Sequence, residues 1–169
     1  MGLEIERKFL VRGDGWRAAQ AVAASADTAG ESSGVRFRQG YVPAEGTTTV
    51  RVRLEGERGV LTIKARTEGL ARLEYEYTIP AADALEMLDH VCGKPQIDKV
   101  RHTRRVGGHV WEIDEFLGEN AGLVVAEIEL DHEDEPFERP DWLGEEVTHD
   151  TRYLNVNLAA RPWRQWGVP

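Results

Sequence analysis

The chain is almost without cysteine. Cys92 is its single thiol in 169 residues, which excludes an intrachain disulfide and a thiolate zinc cluster. It has no apolar run of the ~18 residues a membrane helix needs, and no signal-type apolar core follows Met1. A soluble, cytoplasmic protein without a membrane partner is expected. It also lacks an excess of base: 21 Lys and Arg stand against 30 Asp and Glu, a formal net charge of -9. Nucleic-acid binders usually carry a basic footprint, so no stable nucleic-acid partner is expected. A local basic pocket for a small anion stays open inside an acidic protein. Histidine is sparse, five in all, and none sits at HExxH or another zinc spacing. There is no Walker glycine-lysine loop and no GxS nucleophile elbow.

Alternation fills the space these absences leave. Glu4, Glu6 and Lys8 occupy every second position of LEIERKFLV. In a strand, residues two apart share a face. The habit recurs with Arg36 and Arg38 in VRFRQGYV, Arg51 and Arg53 in TVRVRLE, and Lys64 in LTIKAR. It continues with Glu74 and Glu76 in RLEYEYTI, Lys99 and Arg101 in IDKVRH, Glu112 and Asp114 in WEIDEF, and Glu127 and Glu129 in VAEIEL. Turn-forming stretches, PAEG, GERG, EGLA and Gly107-Gly108, join many of these segments as hairpins. Helical spacing is confined to AADALEMLDHV after Pro80, a short WRAAQAVAA after Asp14, and the region from about Asp150. The stretch DHEDEPFERPDWLG reads as loop with a short helical turn. No repeat of domain size and no linker is found, so residues 1–169 form one domain.

The expected fold is mainly β (α+β): an eight-stranded antiparallel closed barrel with helices packed outside. Eight strands close around side chains or one small ligand, and closure removes exposed edges. A plain sheet with a wet charged face explains any one segment. The recurrence of Glu pairs and Arg or Lys pairs favours a charged lumen. Its bases are Lys8, Arg36, Arg38, Arg51, Arg53, Lys64, Lys99 and Arg101. Its acids are Glu4, Glu6, Glu74, Glu76, Asp114, Glu127 and Glu129. Neither set packs alone, because an unpaired buried charge costs several kcal/mol. The helices at 80–91 and 150–159 are then expected on the apolar outer faces. A cationic wall facing an anionic wall suits a polyphosphate held by arginine forks and lysine charges. The acids suit a hard divalent cation. The two together are the parts of phosphoryl transfer.

These residues resemble a known family. EIERKFLV is similar to the E-x-E-x-K signature of the CYTH superfamily, the triphosphate tunnel metalloenzymes, met here by Glu4, Glu6 and Lys8. RQGYV, VRVR, LTIKAR, LEYEYTIP, WEIDEFLGENAGLVVAEIEL and PDWLGEEVTHDTRYLN resemble its short bacterial branch across nearly the whole chain. The resemblance implies a tunnel for a triphosphate-containing small molecule and a divalent metal, Mg2+ or Mn2+. It implies Glu4, Glu6, Glu127 and Glu129, with Asp114 nearby, on the metal side. Lys8, Arg38, Arg51, Arg53, Lys99 and Arg101 then bind phosphate, joined by Arg36 from the lumen set. Tyr41 and Lys64 are similar to a tyrosine–lysine pair proposed as catalytic there, with Glu74 and Glu76 in support. Hydrolysis of inorganic triphosphate to pyrophosphate and phosphate is the leading expectation. Its rivals are adenylate cyclisation, hydrolysis of an organic triphosphate such as thiamine triphosphate, and a non-enzymatic polyphosphate-binding module. Oligomeric state is left open, a homodimer included.

Overall fold

The structure is a computed structural model that describes residues 5–18, 34–66 and 72–167. Nine strands form one antiparallel sheet. In chain order they are β1 (Ile5–Val11), β2 (Val35–Val42), β3 (Thr49–Glu55), β4 (Arg58–Arg66), β5 (Arg72–Ile79), β6 (Ile97–Val106), β7 (His109–Phe116), β8 (Val124–Leu130) and β9 (Leu143–Glu146). Two α-helices join them: α1 (Ala81–His90) and α2 (Asn155–Ala160). The spatial order is β5-β4-β3-β2-β6-β7-β8-β1-β9.

Two expectations change here. The count is nine strands rather than eight, because part of the proline-bearing stretch after Leu130 enters the sheet as β9. Leu143 pairs with Val11 and Glu146 with Phe9. Only glycine fits at position 144, where a Cβ would stand 2.8 Å from the Leu10 carbonyl oxygen. The second change concerns closure. The ladder runs as a line with β5 and β9 at its ends, so no hydrogen-bonded seam between described strands closes it into a barrel. The hairpins follow the turn chemistry. Val106 pairs with His109 across Gly107-Gly108, and Gly107 takes φ 59°, which a glycine adopts without steric cost.

Period-two alternation divides the sheet into two faces, and each has its own apolar cluster. The outer face of β1, β7 and β8 carries Phe9, Trp111, Ile113, Ala126 and Ile128, packed with Trp16, Trp142 and Leu143. The outer face of β3 carries Val52 and Leu54, covered by Ala84, Met87 and Leu88 of α1. Asp83 sits in the first turn of α1, where the helix dipole favours an anion.

The third cluster corrects the expectation for α2. Leu158 and Ala159 pack with Ile97, Phe116, Leu123 and Val125, with Leu10 and Tyr41 against them. Leu10 shares the face of Lys8, Ile97 that of Lys99, Phe116 that of Asp114, and Val125 that of Glu127. The helix therefore fills one end of the inner face and does not cover the outer one. Asn120 secures it: its Nδ2 donates to the Leu158 carbonyl at 3.3 Å, and its Oδ1 accepts from the Trp163 amide at 2.7 Å. No helix among the described residues is long and apolar enough to cross a membrane.

Candidate active site

Every strand from β1 to β8 sends at least one side chain into one cavity of about 470 Å³. Lys8, Arg51, Arg53, Lys64, Lys99 and Arg101 supply its cations. Glu6, Glu74, Glu76, Glu112, Glu127 and Glu129 supply its acids, and Tyr41 and Thr49 are its neutral polar groups. Leu154, Asn155 and Val156, at the start of α2, line its filled end. Eight strands can face one hollow only if the sheet curls strongly, which accumulated twist and coiling permit. A second cavity of about 600 Å³ adjoins it. The two share Glu6, Glu112, Glu127 and Glu129, and the second adds His109, Asp131 and Glu135. The mixed site thus passes into an acidic one.

The most buried charges form a network in β6, β7 and β8. Lys99 and Asp114 are each 1 % exposed, and their Nζ and Oδ2 lie 2.6 Å apart. Arg101 donates to Asp114 through Nε at 2.7 Å and Nη2 at 2.8 Å, and it also binds Glu112. Burial alone would lift the Asp114 carboxyl, but Lys99 and Arg101 more than reverse this and hold it well below the ordinary range. Burial works against the Arg101 charge as well, and Asp114, Glu112 and Glu127 outweigh it. Lys99 ends with its ammonium depressed by burial, despite Asp114. Both Asp114 oxygens are thus engaged by bases. Asp114 is expected near the metal, and here its nearest partners are these two bases. On β1, Lys8 reaches Glu127 at 3.0 Å and Glu6 at 3.8 Å.

The opposite wall is less satisfied. Arg51 gives one bond to Thr62 at 3.2 Å, and Arg53 pairs with Glu55 at 2.5 Å. The Nε atoms of both arginines are buried and without a hydrogen-bond partner among the described residues. Burial, then the neighbouring Arg51, depresses the Arg53 guanidinium. Orphaned donors on adjacent, mutually repelling guanidiniums are what an anion would satisfy. Lys64 pairs with Glu74 at 3.2 Å, and Glu76 accepts from Thr62 at 3.4 Å. Glu74 thus meets the basic wall directly and Glu76 through Thr62, which Arg51 also reaches.

Two expected site residues lie elsewhere. Arg36 and Arg38 are on the outer face of β2. Arg36 pairs with Asp98 at 2.6 Å, and Arg38 with Asp89 of α1 at 2.6 Å. The physical reason is parity. Tyr41 lines the cavity, so Phe37 and Gln39 share its face while Arg36 and Arg38 point away. Glu4 lies outside the described residues. Three site groups stand outside the predicted lumen and metal sets. Glu112 shares the face of Asp114, a signal that was available. Phe37 has Arg53, Lys99 and Arg101 at 5.5, 5.8 and 5.1 Å from its ring centroid, so an aromatic face offsets three converging cations. Gln39 is 1 % exposed and reaches the Tyr41 hydroxyl. Neither Phe37 nor Gln39 is legible without coordinates.

The acids suit a hard cation. Glu6, Glu112, Glu127 and Glu129 offer carboxylate oxygens to one space, the donor type that magnesium and its relatives take. Burial first, and then Glu127 beside it, holds the Glu6 carboxyl above its ordinary range. Glu112 is raised chiefly by burial, with Asp114 and Glu127 adding to it against Arg101. A divalent cation would relieve that repulsion. Among the described residues no three acids converge into a ready-made metal nest.

The model of the CYTH domain matches residues 2–162. This chain belongs to the CYTH family. Two curated CYTH relatives are similar over almost their full length. The inorganic triphosphatase of Acetivibrio thermocellus is 46% identical over 98% of this chain and 99% of its own. That of Nitrosomonas europaea is 37% identical over 92% and 96%. A solved crystal structure of an inorganic triphosphatase superposes with a TM-score of 0.66 at 32% identity, covering 94% of this chain and 95% of that one. A Pyrococcus furiosus protein of 16% identity has a TM-score of 0.52 over 78% and 81% of the two chains. That likeness speaks to the CYTH fold alone.

Proposed function

We propose that this chain hydrolyses inorganic triphosphate to pyrophosphate and phosphate, with magnesium or manganese as its divalent metal. The observation that carries the reading is the two-walled cavity, whose buried Arg51 and Arg53 Nε donors lack a partner among the described residues. The names of the two relatives at 46% and 37% identity agree with it. The curled sheet serves as a tunnel, even though its ladder is not sealed.

In this reading Arg51, Arg53, Lys99 and Arg101 bind and neutralise the polyphosphate. Thr62 holds Arg51, and Glu55, Asp114 and Phe37 hold the other three before substrate arrives, so little reorganisation is needed when charge shifts in the transition state. Lys8, held between Glu6 and Glu127, bridges the basic and acidic walls. Glu6, Glu127 and Glu129 would hold the metal, with Glu112 close by. When bound, a divalent cation neutralises phosphoryl oxygens and helps align the attacking water with the bond that breaks. Burial keeps the Tyr41 phenol protonated, opposed only in part by Arg51 and Gln39. Tyr41 and Lys64 border the reacting phosphoryl group.

The test is a substrate profile with products identified. Tripolyphosphate, thiamine triphosphate and ATP are each supplied with magnesium or manganese. Pyrophosphate and phosphate in equal amounts, formed fastest from tripolyphosphate, are expected. Cyclic AMP as the fastest product would replace this reading with a cyclase. Tight polyphosphate binding without turnover under either metal would leave a binding module.

A further inference from the structure

Gln39 is a neutral polar side chain with 1 % exposure in a cavity wall made mostly of charge. Its backbone pairs with Arg53 of β3 on one side and Ile97 of β6 on the other. Buried side-chain amides have partners in nearly all proteins, and here the partner is specific. Nε2 of Gln39 donates to the Tyr41 hydroxyl oxygen at 3.3 Å. Among the described residues this is the only hydrogen bond the phenol makes, and in it the phenol is the acceptor. Its own proton is left without an acceptor among the described residues. The neighbours cannot change that. Arg51, directly across the β2–β3 ladder, and Arg53 carry only donors, and so does the Lys64 ammonium. Lys64 is in any case engaged by Glu74.

We propose that Gln39 is a positioning residue for Tyr41: by filling a lone pair of the phenol oxygen it turns the O–H into the cavity, making Tyr41 a hydrogen-bond donor to a phosphoryl oxygen of the substrate and not a base. This rests on the triphosphatase reading and adds a direction to it. Acting as a base would require the phenolate, and burial strengthens the hold of the phenol on its proton against the smaller opposing pull of Arg51 and of the Gln39 bond itself. Gln39 touches no substrate in this scheme. It acts only through Tyr41.

Steady-state kinetics on tripolyphosphate test it with four variants: Gln39→Met, Gln39→Glu, Tyr41→Phe, and Gln39→Met with Tyr41→Phe. Gln39→Met keeps the length and removes the donor. It should lower kcat by about 10- to 100-fold, below the ~10²–10⁴ of a whole acid–base group, with KM moving less than about threefold. In the Tyr41→Phe background the same change should cost nothing more. In Gln39→Glu the ionised carboxylate accepts the phenol proton and turns it from the cavity, whereas the protonated acid donates as the amide did. Its kcat relative to the unaltered enzyme should therefore climb as pH falls through the titration of residue 39. A merely structural role predicts a constant ratio. An equal loss on adding Gln39→Met to Tyr41→Phe would overturn the proposal, and so would a flat Gln39→Glu ratio. If Gln39→Met does not fold, the Gln39→Glu profile decides. Full kcat in Tyr41→Phe removes Tyr41 from the chemistry and the proposal with it. An unaltered chain that never cleaves tripolyphosphate sinks the broader functional reading instead.

Discussion

At the scale of single residues, the cavity is a set of charges whose partners decide their roles. Arg53 has one paired acid, Glu55, two repelling neighbours, Arg51 and Arg101, and one orphaned donor, so it is placed to gain from an anion. Arg53→Ala should weaken tripolyphosphate binding by roughly 1.5–3 kcal/mol, the worth of a charged hydrogen bond, or about 10- to 150-fold in Kd by calorimetry. An unchanged constant would mean that this guanidinium does not meet the substrate. Glu146 gives a prediction away from the site. Its two hydrogen bonds from Arg7, at 2.8 and 2.6 Å, and one from Thr148 at 2.7 Å hold its carboxyl at about 2 against an ordinary 4.5. A carboxyl depressed by folding stabilises above its unfolded value and loses that contribution as pH falls toward the folded one. The pair is one third exposed, so screening holds the effect below about 1 kcal/mol. Urea midpoints should fall between pH 4.5 and pH 2, and by less in Glu146→Gln. Parallel curves for the two proteins would show that Arg7–Glu146 is silent.

At the scale of elements, period-two alternation located almost every strand and its charged face, because the side-chain period in a strand is a steric fact. It failed where the charged face of a strand is the outer one. In β2, Arg36 and Arg38 form one set and Phe37, Gln39 and Tyr41 the other. Charge pointed to the first set, whereas the ligand-side face is the second. The true signal was the parity of Tyr41. Strand β9 was hidden because LGEE is short and follows prolines, and its pairing depends on a backbone 130-odd positions upstream. The site of α2 was misread for a related reason. An apolar helix face does not say which side of a curled sheet it will meet. Its position allows a paired experiment. Leu88 of α1 and Leu158 of α2 are both fully buried, and truncating either to Ala should cost about 2–5 kcal/mol by urea unfolding. Leu158→Ala should also raise KM for tripolyphosphate, since α2 begins with residues that line the cavity. Leu88→Ala should leave KM unchanged, since α1 packs on the outside. Equal KM values in the two variants would detach α2 from substrate binding.

At the scale of the whole molecule, a net charge of -9 conceals a cationic pocket for a polyanion. Local arrangement, not total charge, sets what such a pocket binds. The acidic wall is also why the family resemblance and the physical reading agree about metal. Without a cation, Glu6 and Glu112 are held above their ordinary range in part by neighbouring acids. Chelation with EDTA should abolish turnover while tripolyphosphate still binds the basic wall measurably in calorimetry. Undiminished turnover after chelation would remove the metal from the scheme. The linear strand order carries one more consequence, for the timing of assembly. Strand β1 sits between β8 and β9, and the contact from Arg7 to Glu146 spans 139 positions of the chain. Hairpins from β2 to β5 can zip as they leave the ribosome, but β1 must wait for partners made much later. Loop closure over such distances is slow, so Arg53–Glu55 and Lys64–Glu74 can form early while the Lys8–Glu127 link to the acidic wall comes late.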